Sequence, residues 1–145
     1  MAVTREKMVE VQTLMSGINE PAPRCPVAHH FANLGGARGG IYAREIFLPA
    51  GTIVMGKIHK YETINFITLG MAKAFNPEQP EEDKIMVAPY TFVSPAGSKR
   101  CVAALSDCLW ITVHPAESKD LAVLEDELVF KDYDELDAQE KTCLG

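Results

Sequence analysis

From Gly40 to His114 the chain alternates short strand-forming segments with turn residues, and that rhythm leaves few folds open. IYAREIFL (41–48) stops at Pro49-Ala50-Gly51, TIVMGKIH (52–59) follows, and ETINFITL (62–69) stops at Gly70. MAKAF (71–75) continues the hairpin into NPEQPEEDK (76–84), a polar, proline-bearing turn. IMVA (85–88) and YTFVS (90–94) flank Pro89; KRCVAAL (99–105) and CLWITVH (108–114) follow the turn Pro95-Ala96-Gly97. Seven or eight short strands at this spacing predict an antiparallel sandwich or barrel. No helical pattern lies between them, which argues against a parallel α/β sheet.

Helical periodicity is confined to the ends. Met8, Val11, Leu14 and Met15 form one stripe over residues 4–16, with Thr4 as the expected N-cap and Gly17 as the stop. Such a short helix needs a surface to pack on, either this chain's own body or a neighbouring subunit. Pro21, Pro23 and Pro26 then predict an extended arm through Cys25, His29 and His30. LGGARGG (34–40) is a loop; it lacks a GK[ST] ending and precedes no helix, so it is not a phosphate-binding loop. Near the other end Leu121, Leu124 and Leu128 predict a helix with Ser118 as cap and Asp120 favouring its N-terminal dipole. KDYDELDAQEKTCLG (131–145) reads as a loose tail. The expected division is therefore an N-terminal helix and arm (1–39), a barrel (40–114), and a C-terminal helix with an acidic tail (115–145).

Charge narrows the partners. The 145 residues suit one domain and carry a formal charge of −6. Residues 1–115 hold 11 bases and 10 acids, whereas residues 116–145 hold 3 bases and 10 acids. No basic face is available for a nucleic acid. No apolar run approaches the ~20 residues that span a bilayer, so no membrane partner is expected. The polar N-terminus lacks the apolar core of a signal peptide, so synthesis in a cytoplasm is expected. Cys25, Cys101, Cys108 and Cys143 form no CxxC and read as reduced thiols, with Cys101 and Cys108 in packing roles.

The segment 51–70, G-TIVMG-K-I-H-KYE-T-INFITL-G, resembles the first cupin motif, G-x5-H-x-H-x3,4-E-x6-G. Gly51 and Gly70 match its glycines and His59 its second histidine; Lys57 stands where the first histidine belongs and Thr63 where the glutamate belongs. Pro95-Ala96-Gly97-Ser98-Lys99-Arg100 is similar to the P-x-G-x2-H core of the second motif, with Arg100 in place of histidine. CPVAHHFA, GIYAREIFLPAGTIVMGKIHKYE, YTFVSPAGSKR and DCLWITVH further resemble small cupin-like proteins of tailed bacteriophages and prophages, a group in which a histidine commonly occupies the position of Thr63. The resemblance implies an all-β cupin-type jelly-roll barrel, a double-stranded β-helix with a helix at each end. It implies no settled enzymatic activity.

Side chains alternate between the inside and outside of such a barrel. If His59 points inward, so do Lys57, Met55 and Ile53, and Thr63, Asn65 and Ile67 share one face of the next strand. The expected lumen then holds Lys57, His59, Thr63, Asn65 and Arg100. This set is poor for a metal, which needs three or four His, Cys or carboxylate ligands; only His59 qualifies, and no metal or other cofactor is expected. For the lumen two readings stand. Lys57, Arg100 and a neutral donor suit a carboxylate, sulfate or phosphate. Alternatively Lys57 snorkels to the rim, Arg100 pairs with Glu45 or Glu62, and His59 is a hydrogen-bonded core histidine.

Elsewhere the chemistry is sparse. Ser94, Ser98 and Ser106 have no G-x-S-x-G elbow. His114 reads as a strand-end residue, Trp110 as core or interface, and His29–His30 as a loop pair. Tyr42, Tyr61 and Tyr90 are candidates for a sugar site. The resemblance implies a phage protein, and the lack of a catalytic set makes a non-enzymatic, homo-oligomeric one the expectation. Decoration, collar or tail accessory roles beside other virion proteins fit, with synthesis in the host cytoplasm and residence in the virion. The alternatives are a cupin enzyme, metal-dependent or of the sugar-epimerase kind, and a protein that binds a small anion or carbohydrate in the barrel lumen.

Overall fold

A computed structural model describes residues 3–18 and 24–144. Pro21 and Pro23 of the expected arm lie outside the described residues. Helix α1 (Arg5–Ser16) starts where the sequence places it, with the Thr4 side chain accepting a hydrogen bond from the Lys7 backbone N–H. Strand β1 (Val27–Asn33) follows and pairs antiparallel with β2 (Gly40–Leu48), joining Val27 to Ile46 and Asn33 to Gly40. The segment read as an arm is thus the edge of a sheet. Proline-flanked, weakly alternating sequence conceals such an edge, because its outer side needs no apolar face.

The remaining strands are β3 (Ile53–Met55), β4 (Ile58–His59), β5 (Thr63–Leu69), β6 (Met71–Phe75), β7 (Ile85–Val87), β8 (Tyr90–Ser94), β9 (Cys101–Ala104) and β10 (Cys108–Ala116). A five-stranded sheet, β1-β2-β10-β5-β8, faces a four-stranded sheet, β3-β9-β6-β7, and every pairing is antiparallel. This is the jelly-roll expected from the strand rhythm. Between the sheets lie Leu48, Ile67, Ala72, Ala74, Met86, Val102, Ala104, Cys108 and Trp110. Small residues on β6 and β9 let the second sheet approach closely, while Trp110 fills the centre.

The chain end is more ordered than its composition suggests. Helix α2 (Leu121–Leu128) is capped by Asp120, whose carboxylate accepts from the Ala122 N–H, and not by Ser118. Ser118 instead accepts from the Asp120 N–H, one step before the helix. Leu124 and Leu128 pack with Tyr42 and Ala116, so α2 closes one end of the barrel. A two-residue strand β11 (Val129–Phe130) pairs with β4. The expected loose tail is a helix, α3 (Tyr133–Leu144), held by Tyr133 and Leu136 against Ile58 and Phe130. Those two apolar residues, three apart, were too few to stand out among the acids around them.

Helix α1 docks on the same chain. Met8 is buried, the Arg5 guanidinium pairs with Glu78 and Asp137, and it lies 4.6 Å from the centre of the Tyr133 ring. Leu14 of the expected stripe is exposed, so the contact is a narrow one through Met8, Val11 and Met15. Cys25, Cys101 and Cys108 are free thiols; Cys108 is completely buried and Cys101 half-buried. No helix among the described residues is long and apolar enough to cross a membrane.

Candidate functional site

The inner face of the five-stranded sheet grades from apolar to polar along its strands. On β2, Leu48 and Ile46 belong to the core, whereas Arg44 and Tyr42 line a cavity at the end closed by α2. Strand register carries the gradient across: Arg44 pairs with His29 on β1 and Thr112 on β10, and Tyr42 pairs with Phe31 and His114. Period-two alternation then brings all six side chains to one end. The cavity measures about 330 Å³ and is walled on its opposite side by Leu121, Leu124 and Leu128 of α2 with Val129.

The rings on the polar wall stack in a row. Phe31 and Tyr42 are 5.0 Å apart, Tyr42 and His114 5.7 Å, and His114 and His59 5.2 Å with planes only 4° apart. His29 Nδ1 and the Tyr42 hydroxyl share a 2.6 Å hydrogen bond. Burial, then the neighbouring His114, Arg100 and Arg44, push the His59 pKa down to about 4. Burial and Arg44 hold His114 down at about 4 as well. Both imidazoles are therefore neutral at pH 7. His59 Nδ1 is buried without a hydrogen-bond partner, although the residue itself lines the cavity.

Of the five expected lumen residues, the fold brings four indoors but divides them between two arrangements. His59 lines the cavity with His114. Thr63, Asn65 and Arg100 belong to a buried hydrogen-bond network beneath it. Asn65 Nδ2 donates to Ser94 Oγ at 2.7 Å and Thr63 Oγ1 at 3.2 Å; its Oδ1 accepts from Trp110 Nε1 at 3.0 Å and Thr112 Oγ1 at 2.9 Å. Arg100 donates to the same Ser94 hydroxyl at 2.6 Å, with its guanidinium over the Phe92 ring. Asn65 thus uses both ends of its amide within the protein, which is how a polar group is kept in a core.

Lys57 departs from the expectation. Its side chain is 59% exposed at the cavity mouth and pairs with Glu125 of α2. The reason is a break between β3 and β4. Val54 packs on the core while Ile53 is exposed, yet His59, five residues on from Val54, also faces inward. Simple alternation fails by one residue, and the slip falls at Gly56, whose N–H donates to the Arg100 carbonyl. A Cβ on Gly56 would stand 3.1 Å from that carbonyl, so glycine permits the approach. The predicted partners of Arg100 are corrected too: Glu45 points outward to His30 at 3.1 Å, and Glu62 is exposed.

The metal chemistry of the cupin motif does not fit these residues. At its four ligand positions stand exposed Lys57, His59, buried Thr63 bonded to Asn65, and Arg100 bonded to Ser94. One imidazole, a hydroxyl and two cations make no divalent-metal set. Among the described residues no group of three His, Cys, Asp or Glu gathers elsewhere.

Sequence reasoning missed Arg44 and Thr112 and set His114 and Tyr42 aside. Alternation along β2 groups Tyr42 and Arg44 with core residues Ile46 and Leu48, and that signal was available. That β10 lies beside β2, bringing Thr112 and His114 to them, is a fact of topology. Arg44 lines the cavity and has no acidic partner among the described residues.

No protein-family model matches the chain, and no curated protein does. Solved structures do. A polyketide cyclase from Streptomyces resistomycificus is 14% identical with a TM-score of 0.53, covering 71% of this chain and 73% of that one. A salicylate 1,2-dioxygenase from Pseudaminobacter salicylatoxidans is 14% identical at a TM-score of 0.52; 78% of this chain matches only 33% of that protein. A cupin superfamily protein from Desulfitobacterium hafniense is 16% identical at a TM-score of 0.50, covering 70% of this chain and 86% of that one. At such identities the likeness speaks for the fold alone: this chain has a cupin-type jelly-roll fold.

Proposed function

We propose that the protein binds a small anionic ligand in the cavity closed by α2. The observation that carries the reading is Arg44, a solvent-exposed cation at the opening of the cavity without an acidic partner among the described residues, beside two imidazoles that stay neutral. A guanidinium at the opening of a cavity, beside neutral donors, favours an anion. Lys57 is a weaker contributor, because Glu125 already answers its charge. A ligand that binds only the folded state raises the melting temperature by mass action. Phosphate, sulfate and acetate are therefore expected to raise it above chloride at equal ionic strength, and Arg44→Gln to abolish the rise. Equal melting temperatures in all four salts contradict the reading.

A second reading is a homo-oligomer, with the virion accessory role that the sequence resemblance implies; the outer face of the five-stranded sheet supports the oligomer. Ile64 and Val93 are 46% and 57% exposed there, in register with each other and beside half-buried Phe66, Ile111 and Val113. A contiguous apolar sheet face of this kind suits a neighbouring subunit. Light scattering is expected to show an oligomer that Val93→Glu dissociates; a monomer at working concentration contradicts it.

A further inference from the structure

We propose that the ligand of this cavity is a monocarboxylate with a compact apolar body, such as a one- or two-ring acid, its carboxylate on Arg44 and its body against α2. The inference rests on the anion reading above and adds the chemistry of the rest of the molecule.

Three features of the cavity lead to it. The first is the division of its walls. Arg44 and Tyr42 on β2 and His114 on β10 line it from the five-stranded sheet and His59 from β4, whereas Leu121, Leu124 and Leu128 of α2 supply an apolar side, with Val129 next to His59. A bare inorganic anion would leave that apolar wall against water; an apolar body removes both surfaces from water. The second is charge. Arg44 is the cation left over, since Lys57 pairs with Glu125 at the mouth. One guanidinium matches one carboxylate in a two-pronged hydrogen bond. A dianion would keep an unmatched charge, because the Lys57–Glu125 pair at the entrance adds no net cation. The third is size. About 330 Å³ is at the small end for organic-ligand pockets, too roomy for acetate alone and too small for a long chain or a dinucleotide.

His59 Nδ1 is buried without a hydrogen-bond partner, as is the Tyr133 hydroxyl at the α3 junction, whereas every amide position of Asn65 is used.

Calorimetric titration of the full chain with benzoate, cyclohexanecarboxylate, acetate, phosphate and benzyl alcohol tests the idea. Benzoate and cyclohexanecarboxylate are expected to bind at least about tenfold more tightly than acetate, phosphate or benzyl alcohol. Arg44→Gln should weaken benzoate by at least about tenfold while leaving benzyl alcohol unchanged. Leu121→Ser, on a side chain already 45% exposed, should weaken benzoate and leave phosphate unchanged. Circular dichroism and melting curves verify that both variants fold. If phosphate or acetate binds as tightly as benzoate, the apolar-body inference fails while the anion reading stands. If benzyl alcohol matches benzoate and Arg44→Gln changes neither, both fail. Binding of none of the five overturns the inference and the anion reading together.

Discussion

Two histidines that the fold keeps uncharged make the clearest single-residue statement in this protein. His59 and His114 lie 5.2 Å apart in parallel planes, and each is held at a pKa of about 4, against 6.5 for an exposed imidazole. The sign of the consequence follows. Between pH 4 and 6.5 the unfolded chain binds protons at these residues and the native protein does not. Stability is complete above pH 6.5 and is lost as the pH falls toward 4, by on the order of a few kcal/mol for the pair. Urea unfolding at pH 7.5 and 5 is expected to show this loss, and His114→Gln to reduce it. An unchanged difference between the two pH values in that variant would show that His114 is not the group concerned. His59 was legible from the motif spacing; His114 was not, because its neighbours come from β2 and β4, far away in sequence.

At the scale of elements, two glycines of the same motif do different work. Gly51 and Gly70 both have positive φ, 84° and 79°, where L side chains are strained. A Cβ on Gly51 meets nothing within 4 Å, so Gly51→Ala should cost only the backbone term, about 1 kcal/mol. A Cβ on Gly70 would stand 1.9 Å from the Asp107 carbonyl, because the β5–β6 turn is pressed against the β9–β10 turn. Gly70→Ala must separate those turns and should cost more than about 3 kcal/mol. Chemical denaturation of the two variants checks the contrast, and equal losses would refute it. Both glycines were visible as turn signals. Their unequal packing was not, since it depends on which turn lies opposite. The break between β3 and β4 has the same character: Gly56 shifts the alternation by one residue, and Lys57 goes to the rim as a result.

For the molecule as a whole, the two terminal helices form one junction beside the barrel. Arg5 of α1 pairs with Asp137 of α3 and lies over Tyr133, while Lys99 from the β8–β9 turn donates to Gln12 at 2.6 Å. Burial, with Glu78 near by, pushes the Tyr133 hydroxyl up to about 12, so it remains a neutral ring at the centre of the contact. Removing residues 131–145 is therefore expected to do more than expose Ile58 and Phe130. It should also loosen α1 at the opposite end of the chain, since part of the surface under Met8 and Arg5 leaves with α3. Hydrogen exchange reads this directly: the α1 amides should lose protection in the truncated protein, and unchanged protection there would show that α1 docks independently of α3.

The strand rhythm, the turn glycines and the capped N-terminal helix were determined by sequence alone, because each rests on neighbours within a few residues: alternation, a positive φ, a hydroxyl three residues before an N–H. The spacing around His59 also carried the jelly-roll expectation without help from coordinates. Tertiary structure decided the rest. It made 27–33 a sheet edge, folded the acidic end onto Ile58 and Phe130, and split the expected lumen into a satisfied Asn65 network and an open cavity. It also set Arg44 beside His114, from strands that pair across nearly 70 positions of sequence. Such contacts depend on strand order and on a one-residue slip at Gly56, and local alternation contains neither.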